Sequence, residues 1–562
     1  MFLKPVLASM ALSVSCFAFA AYSSPQAITE TPITAAHTLL DAWEASDAPG
    51  VAVSIMKDGE IVFSSGEGLA NLEHNVAITP NTVFRVASVS KQFTAFSVLL
   101  LVSEGQLSLD DDIRTYFPEL ADTGEVITVR HLLDHLSGLR EVGVLTAIAG
   151  WLEDDIRTRD QVMRLLLRQD DLNFKPGEHF SYSNSGYFLL AELVEKVSGQ
   201  SFSEFTQTRI FDPLGMSQTR FHTDRNMLVS GKATSYNPTG EGYAPILLLS
   251  ENVGSAGLLT TTEDLLKWAD NFQNQTVGDD SVFSMMAKRV SADDGVPAVF
   301  GRGQEQRTYN GLDTWSHGGR NGGFRSFVLR APQEDFALSI ISNRSDFDTA
   351  KLAYALVDTF LAESENYEAE AEEVWTPATP SELLGYVGTY ELYPGTIFEL
   401  TVEDEQLHFS MLNSPDTSPV PQTGEHQFVL NPNSDLFLEF EMGKDGKASG
   451  VYYRIGLHGR LIAKRVELQE FEASSADLND FTGRYFSEEL AAFYDLELRD
   501  GALIAVHARA PDITLEAYQE DTFMSPGGQL QNVEFLRDAA GQVKGFAASA
   551  PLVDEVVFQR VS

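Results

Sequence analysis

Cysteine is all but absent: Cys16 is the one cysteine in 562 residues, and it lies inside an apolar N-terminal segment. Once that segment is removed, disulfides are excluded as a source of stability and thiolates as nucleophiles or metal ligands. Positive charge is also scarce, with 39 Lys and Arg against 81 Asp and Glu and a formal net charge of −42. A surface of that sign repels phosphate backbones and anionic headgroups, so neither nucleic acid nor a membrane surface is expected as a partner. The acidity suits cationic substrates or solubility in a salty medium, and composition does not choose between them. Beyond the N-terminus no stretch reaches the ~18 consecutive apolar residues needed to cross a bilayer. Apolar side chains are not in short supply, however: 43% of residues are hydrophobic and 10% aromatic, enough for sizeable cores, and the length predicts several domains.

The first residues read as an export signal: Lys4, an apolar run from Val6 to Phe19, then small residues at Ala18, Ala20 and Ala21. Cleavage after Ala20 is expected, leaving a cysteine-free periplasmic or extracellular protein with no membrane insertion. A lipoprotein anchor at Cys16 fits poorly, because Ser13 stands where a leucine would be wanted. Gly50 to Met56 then alternates as a strand, and Asp58-Gly59 turns it into a second strand at Ile61 to Ser64. Helical spacing runs from Val89 to Glu104, where Gly105 stops it. The middle third, from Ile113 to Met227, reads mostly as helices, one capped by Thr128 and another running from Gly186 to Val197. Strands return at Phe324 to Ala331 and Phe336 to Ser342, and a last helix runs from Thr349 to Ala362. Strands at both ends with helices between them predict one sheet closed by distant parts of the chain, an α/β sandwich with an all-α insertion over residues 30–362.

Composition changes at Glu363. Residues 363–380 are acidic and proline-bearing, as a linker would be. Beyond them come short alternating strands with Gly, Asp and Asn turns and a faint internal repeat. Tyr386-Val-Gly-Thr-Tyr390 matches Phe481-Thr-Gly-Arg-Tyr485, and Phe398-Glu-Leu-Thr-Val-Glu-Asp404 matches Tyr494-Asp-Leu-Glu-Leu-Arg-Asp500. Two small antiparallel β-barrels are expected, at 381–470 and 475–562. Neither gathers a nucleophile, base or metal set, so both read as accessory.

Three short motifs can carry chemistry. Ser54 and Lys57 have a serine-to-lysine spacing of three, but on a strand such residues face opposite ways. Ser88-Val89-Ser90-Lys91 opens a helix, where positions three apart share a face, so the Lys91 amine can reach the Ser88 hydroxyl. The helix N-terminus adds free N–H groups where an oxyanion would develop. To accept a proton Lys91 must be neutral, which demands burial or cationic neighbours. Tyr182-Ser183-Asn184, in a turn-rich loop before a helix, offers a phenol for proton relay and an amide for a substrate carbonyl. His317-Gly318-Gly319 offers an imidazole beside glycines that let a substrate backbone approach.

In this order and with these flanks, the set resembles the serine β-lactamases, DD-peptidases and their relatives, whose three elements are Ser-x-x-Lys, Tyr-x-Asn and a Lys/His-x-Gly triplet on a strand. The segments 84–91, 131–139, 211–216 and 255–260 look like family segments too. The resemblance implies Ser88 as the acylated nucleophile, Lys91 as its activating partner and Tyr182 as a sharer in proton transfer, with the base left unassigned between Lys91 and Tyr182. It further implies that Asn184 orients substrate, that His317, Gly318 and Gly319 line the opposite wall, and that the N–H groups of Ser88 and Arg320 form the oxyanion hole. No metal or organic cofactor is implied. Where relatives place a lysine for a substrate carboxylate this chain has His317, which weakens a β-lactamase or carboxypeptidase reading unless Arg320 or Arg325 supplies the charge. A histidine triplet followed by two barrels resembles the D-stereospecific aminopeptidases of the family, in which a loop of the last barrel reaches the site mouth. Met524 to Leu530 is the positional candidate for that loop. The implied substrate is a small peptide, amide or ester. A D-amino-acid amidase or aminopeptidase ranks first, a promiscuous esterase second and a weak β-lactamase third, with an acylatable sensor or binding protein as the non-enzyme alternative. The oligomeric state stays open.

Overall fold

The computed structural model describes residues 31–561 apart from 42, 44–46, 293–296, 299, 370–375, 413, 415, 432–435, 456–458, 469–474 and 526–528. The export segment 1–20 lies outside the described residues.

The catalytic unit is built on a seven-stranded antiparallel sheet. Its strands are β1 (Val51–Lys57), β2 (Glu60–Glu67), β3 (Phe300–Gly301), β4 (Gln304–Tyr309), β5 (Leu312–Asn321), β6 (Phe324–Ala331) and β7 (Phe336–Ser342), in the order β3-β4-β5-β6-β7-β1-β2. Asp58 and Gly59 both take positive φ (54° and 76°), the geometry a two-residue hairpin turn requires. The sheet closes where β1 meets β7, pairing Val51 with Ser342 across almost 300 residues of sequence. The period-2 alternation divides its two faces. Val51, Val53, Ile55, Leu338 and Ile340 pack under the helices Pro32–Asp41 and Thr349–Leu361, while Ala52, Val328 and Ile341 face the helical half.

Against that second face lies α1 (Ser90–Ser103), buried along nearly its whole length. A helix enclosed between a sheet and a helical layer needs apolar residues all round, which explains Phe93, Phe96, Val98, Leu99 and Leu101. Packed on it is α2 (Asn184–Ser198), which Ser183 caps by accepting the Gly186 N–H at 3.1 Å and which ends at Gly199, at φ 72°. Thr128 caps the short helix Val129–Leu133, as expected. The decoy pair separates: Ser54 is buried on Thr262 Oγ1 at 2.8 Å, whereas Lys57 turns to Glu334 at the strand end.

Both C-terminal modules are β meanders, and the sequence repeat is structural. Tyr390 donates its hydroxyl hydrogen bond to the Tyr386 carbonyl at 2.8 Å, and Tyr485 to that of Phe481 at 2.7 Å. The second module is a closed eight-stranded barrel spanning Gly483–Val561. The first is a nine-stranded sheet left open as a half-barrel. Its edge strands are Ser418–Pro419 and Gln422–Gly424, and Pro419 and Pro421 at this seam have no N–H to donate to a closing ladder.

The last barrel is not a free appendage. Its interior residues, among them Tyr494, Phe546 and Phe558, belong to one hydrophobic cluster with the helical half of the catalytic unit. Tyr494 donates to the Ile148 carbonyl at 3.0 Å. No described helix is long and apolar enough to cross a membrane.

Candidate active site

The turn before α1 is strained, with Ala87 at φ 48°, a left-handed conformation that costs a residue carrying Cβ about 1–3 kcal/mol. It is held from two sides. Ser90 Oγ donates to the Ala87 carbonyl at 2.5 Å and accepts from the Leu258 N–H at 3.1 Å. On the other side β5 presses against the turn at Gly319, where a Cβ would sit 2.3 Å from the Val86 oxygen and from Ser326 Oγ. Glycine is therefore obligatory here: it lets the strand of the third motif pass directly beside the half-buried Ser88.

Lys91, one turn on, is fully buried. Its Nζ lies 3.3 Å from Ser88 Oγ, 2.7 Å from Asn184 Oδ1 and 2.9 Å from the Ser255 carbonyl. Burial pulls its pKa down to about 7, against the attraction of Glu141, which raises it. The geometry also says where the lone pair goes. Asn184 Oδ1 and Ser255 O only accept, so a neutral amine gives them its two N–H bonds and turns its lone pair to the Ser88 hydroxyl. Tyr182 covers this group, with Nζ 4.7 Å from its ring centre. Burial pushes its phenol far above 10, so it stays protonated, and its hydroxyl is hydrogen-bonded to Ser88. A neutral phenol donates and relays; a lysine poised near neutrality accepts. The arrangement can therefore deprotonate a serine for attack on a carbonyl and return the proton to a leaving group.

The structure brings the first two motifs together, and the third completes the wall with a difference. His317 on β5 is fully buried behind the rings of Tyr182 and Phe300, at centroid distances of 6.4 and 5.4 Å. Burial, with Lys91 nearby, drives its pKa down to about 3, so it is neutral throughout the working range. Its Nδ1 lies 2.6 Å from the Gly318 oxygen, which can only accept; Nδ1 therefore carries the proton and Nε2 the lone pair. Gly318 and Gly319 are buried beside it, and Arg320 just past them is exposed. Arg325 is turned to the carbonyls of Gly322 and Phe324, both at 2.8 Å.

Sequence reasoning missed Glu141. This buried carboxylate accepts the Asn184 N–H at 2.7 Å, its Nδ2 at 2.8 Å and the Gly143 N–H at 3.2 Å. It thereby fixes which way the Asn184 amide points: nitrogen to Glu141, oxygen to Lys91. One amide proton of Asn184 is engaged in this way, so the side chain serves Lys91 as well as any substrate. The signal available was an acidic residue two positions past the family-like segment ending at Leu139. His135, inside that segment, stacks on Tyr182 at 4.6 Å and accepts the Ser183 N–H at 3.0 Å, which orients the phenol.

The last barrel reaches this network by an unexpected turn. Met524 and Ser525 are buried, Met524 in a cluster with Ile397 and Leu412 of the first β module, and Gln531 accepts from Thr396 at 2.8 Å. The expected mouth loop therefore has its flanks on the other β module, and its centre, 526–528, lies outside the described residues. The turn that reaches Glu141 is Pro551–Leu552. The Leu552 carbonyl accepts the Glu141 N–H at 3.1 Å and Asn173 Nδ2 at 2.8 Å. Beside it, buried Arg140 donates to Glu489 at 2.5 Å and to the Glu555 carbonyl at 3.3 Å. The module read as accessory thus holds both residues, Arg140 and Glu141, that precede the site helix in the network.

A strained serine turn, a buried lysine one turn later, a phenol just before a second helix, an amide at that helix's start and a glycine-lined strand define a serine hydrolase of the β-lactamase and transpeptidase fold. Comparison agrees: residues 36–360 match the Beta-lactamase family model, and the chain belongs to that family. Over 530 residues it is 26% identical to a D-aminopeptidase of Brucella ovis, an alignment covering 91% of this chain and 96% of that protein. Among solved structures it is similar to an octameric penicillin-binding protein homologue from Pyrococcus abyssi, at 26% identity and a TM-score of 0.54, covering 76% of this chain and 99% of that one. It is also similar to the D-amino acid amidase of Ochrobactrum anthropi complexed with D-phenylalanine, at 25% identity and a TM-score of 0.50, covering 59% and 98%.

Proposed function

We propose that this serine hydrolase is an exported D-aminopeptidase that works through an acyl-enzyme on Ser88. Lys91 takes the Ser88 proton as Oγ attacks the carbonyl of an N-terminal D-residue; Tyr182 passes a proton to the departing amine, and water then releases the acid. The N–H groups of Ser88 and Arg320 receive the oxyanion, and the spare amide proton of Asn184 is free for the substrate carbonyl. Export rests on the sequence of residues 1–20.

The observation that carries the substrate class is His317. A β-lactam or a D-Ala-D-Ala terminus brings a carboxylate and is met in relatives by a cation within the third motif, whereas this motif presents a buried imidazole that stays neutral above pH 5. Arg325 is turned to backbone carbonyls, and Arg320, just past the motif, is exposed. A substrate whose near end is an amine rather than a carboxylate fits that wall. The likeness to the D-aminopeptidase, which runs through both β modules, supports the same reading.

The test is hydrolysis by the mature protein of D-alanine anilide, its L-enantiomer, a short-chain nitrophenyl ester and a chromogenic cephalosporin, with Ser88→Ala as control. Preference for the D-anilide, abolished by the substitution, is the expected result. Ester turnover alone would make the protein an esterase, cephalosporin turnover a β-lactamase, and a stable Ser88 adduct without turnover a sensor.

A further inference from the structure

Between the catalytic unit and the last barrel lies a groove of about 400 Å³, in the size range of small-ligand sites. Trp151, Ile156 and Leu249 form its apolar walls, and Asp154, Asp155 and Arg509 its polar ones. The chain on two sides of it leads to the turn that follows Arg320. Leu248, next to Leu249, packs against Gly322 in the turn that follows Arg320, close enough that a Cβ on Gly322 would meet it at 3.0 Å. The charge of Glu153, next to Asp154, is felt at Arg325.

The charges in the groove do not cancel. Asp155 is taken, by Arg509 and by the Leu152 N–H at 2.8 Å. Arg157 faces Glu153 and Asp155. That leaves Asp154, exposed and without a hydrogen bond or ion pair among the described residues, beside the half-buried indole of Trp151. A lone carboxylate next to an indole and two aliphatic side chains recognises an ammonium on an alkyl stem: the cation meets the carboxylate and the π-face, and the stem the apolar wall. The excess of acid over base in the whole chain adds long-range attraction for the same ligand.

We propose that this groove is a second subsite, taking a lysine-like cationic side chain of the peptide that extends beyond the residue held at Ser88. The proposal rests on the aminopeptidase reading for its place in catalysis, but its binding is separable from turnover. The gain from one exposed ion pair and one cation–π contact corresponds to about three- to tenfold in affinity.

Two measurements on the mature full-length protein test it. In the first, Ser88→Ala is titrated calorimetrically with D-alanyl-glycyl-L-lysine amide and with its norleucine analogue. About three- to tenfold tighter binding of the lysine peptide, removed by adding Asp154→Asn and weakened by Trp151→Phe, is expected. Equal binding of the two peptides, or a preference that survives Asp154→Asn, would overturn the subsite. In the second, the active enzyme is assayed on the same pair, and the lysine preference should lie in KM and not in kcat. A lysine preference in binding with no cleavage of either peptide would leave the subsite standing and discard the aminopeptidase reading instead.

Discussion

Lys91 is a charge-bearing group that the fold has placed where charge is unwelcome, and replacing it by methionine measures by how much. Its pKa falls from an ordinary 10.5 to about 7 on burial. At 1.36 kcal/mol per unit, that difference is ~5 kcal/mol between the two protonation states. Because the folded value lies below the unfolded one, the folded chain binds fewer protons between pH 7 and pH 10.5, and this group's contribution to stability rises with pH across that window. At pH 6 nearly the whole ~5 kcal/mol penalty is present; at pH 9 about 2 kcal/mol of it remains. Lys91→Met also loses hydrogen bonds to Asn184 and Ser255 and changes the packing, but those costs are nearly independent of pH. The difference between pH values therefore isolates the ionisation. Relative to the parent, Lys91→Met should be more stable at pH 6 than at pH 9 by ~3 kcal/mol. Urea unfolding at both pH values, followed by the fluorescence of buried Trp268, reads this out. A Lys91→Met effect on stability that does not change with pH would refute the claim that this lysine is buried against its charge, and with it the account of how Ser88 is activated.

In the proposed mechanism the same group governs the rate. For the wild type, kcat/KM should climb with unit slope up to about pH 7 and then level off, because only neutral Lys91 accepts the Ser88 proton; a stopped-flow profile with no inflection between pH 6 and pH 8 would count against it. Glu141→Gln removes the attraction that raises the Lys91 pKa, so the acid limb should move to lower pH while kcat drops roughly tenfold as Asn184 is left with one acceptor oxygen in place of two charged ones, consistent with about 1.4 kcal/mol for a charged hydrogen bond. Gly319→Ala puts a methyl group 2.3 Å from the Val86 oxygen; the strand must then move off the serine turn, costing about 1–3 kcal/mol in thermal stability and most of the acylation rate. Glu489→Ala strands Arg140 in a buried site at a cost of about 3–5 kcal/mol, which should appear as faster proteolysis between the last barrel and the helical half and as a lower kcat.

How much of this was legible follows from where each part of the site takes its geometry. Ser88 and Lys91 lie one turn apart on a helix whose start and stop are written locally, so their meeting could be read from spacing alone. The same holds for Ser183 as a cap, Gly199 as a stop and Asp58-Gly59 as a hairpin turn. His317 could be placed on a strand but not in its environment: neutrality comes from the rings of Phe300 and Tyr182, which arrive from other elements. Glu141, the Ser255 carbonyl and the stacking of His135 are contacts across 40 or more residues, and no local pattern announces them. The barrels illustrate the boundary well. Period-2 alternation and the tyrosine repeat announce two β modules, but neither says which end of a barrel faces the catalytic unit. The approach of Pro551–Leu552, where Met524 to Leu530 was expected, depends on how the closed barrel is rolled against the helices, and that is set by the shared apolar cluster.

These costs and contacts bear on why a hydrolase of this kind carries its last barrel. A buried lysine and a left-handed alanine beside Ser88 destabilise the site by several kcal/mol together, so something must hold the surrounding residues in place. The catalytic unit does part of this through Ser90, at the start of α1, and through Gly319 and the Ser255 carbonyl, on segments beside it. The remaining constraint comes through Asn184, which must point its oxygen at Lys91, and Asn184 is held by Glu141. Glu141 in turn sits where its backbone N–H meets the Leu552 carbonyl, with Arg140 beside it pinned by Glu489 and the Glu555 carbonyl. Leu552 and Glu555 themselves take positive φ, 68° and 54°, so the barrel bends its own backbone to present those carbonyls. A module that only bound a distant ligand would have no reason to accept that strain at its contact with the catalytic unit. Strain accepted by the barrel at its hydrogen-bonded seam with Arg140 and Glu141 is what is expected when that seam fixes the geometry around Asn184 and Lys91, and it makes the last barrel part of the site's scaffold.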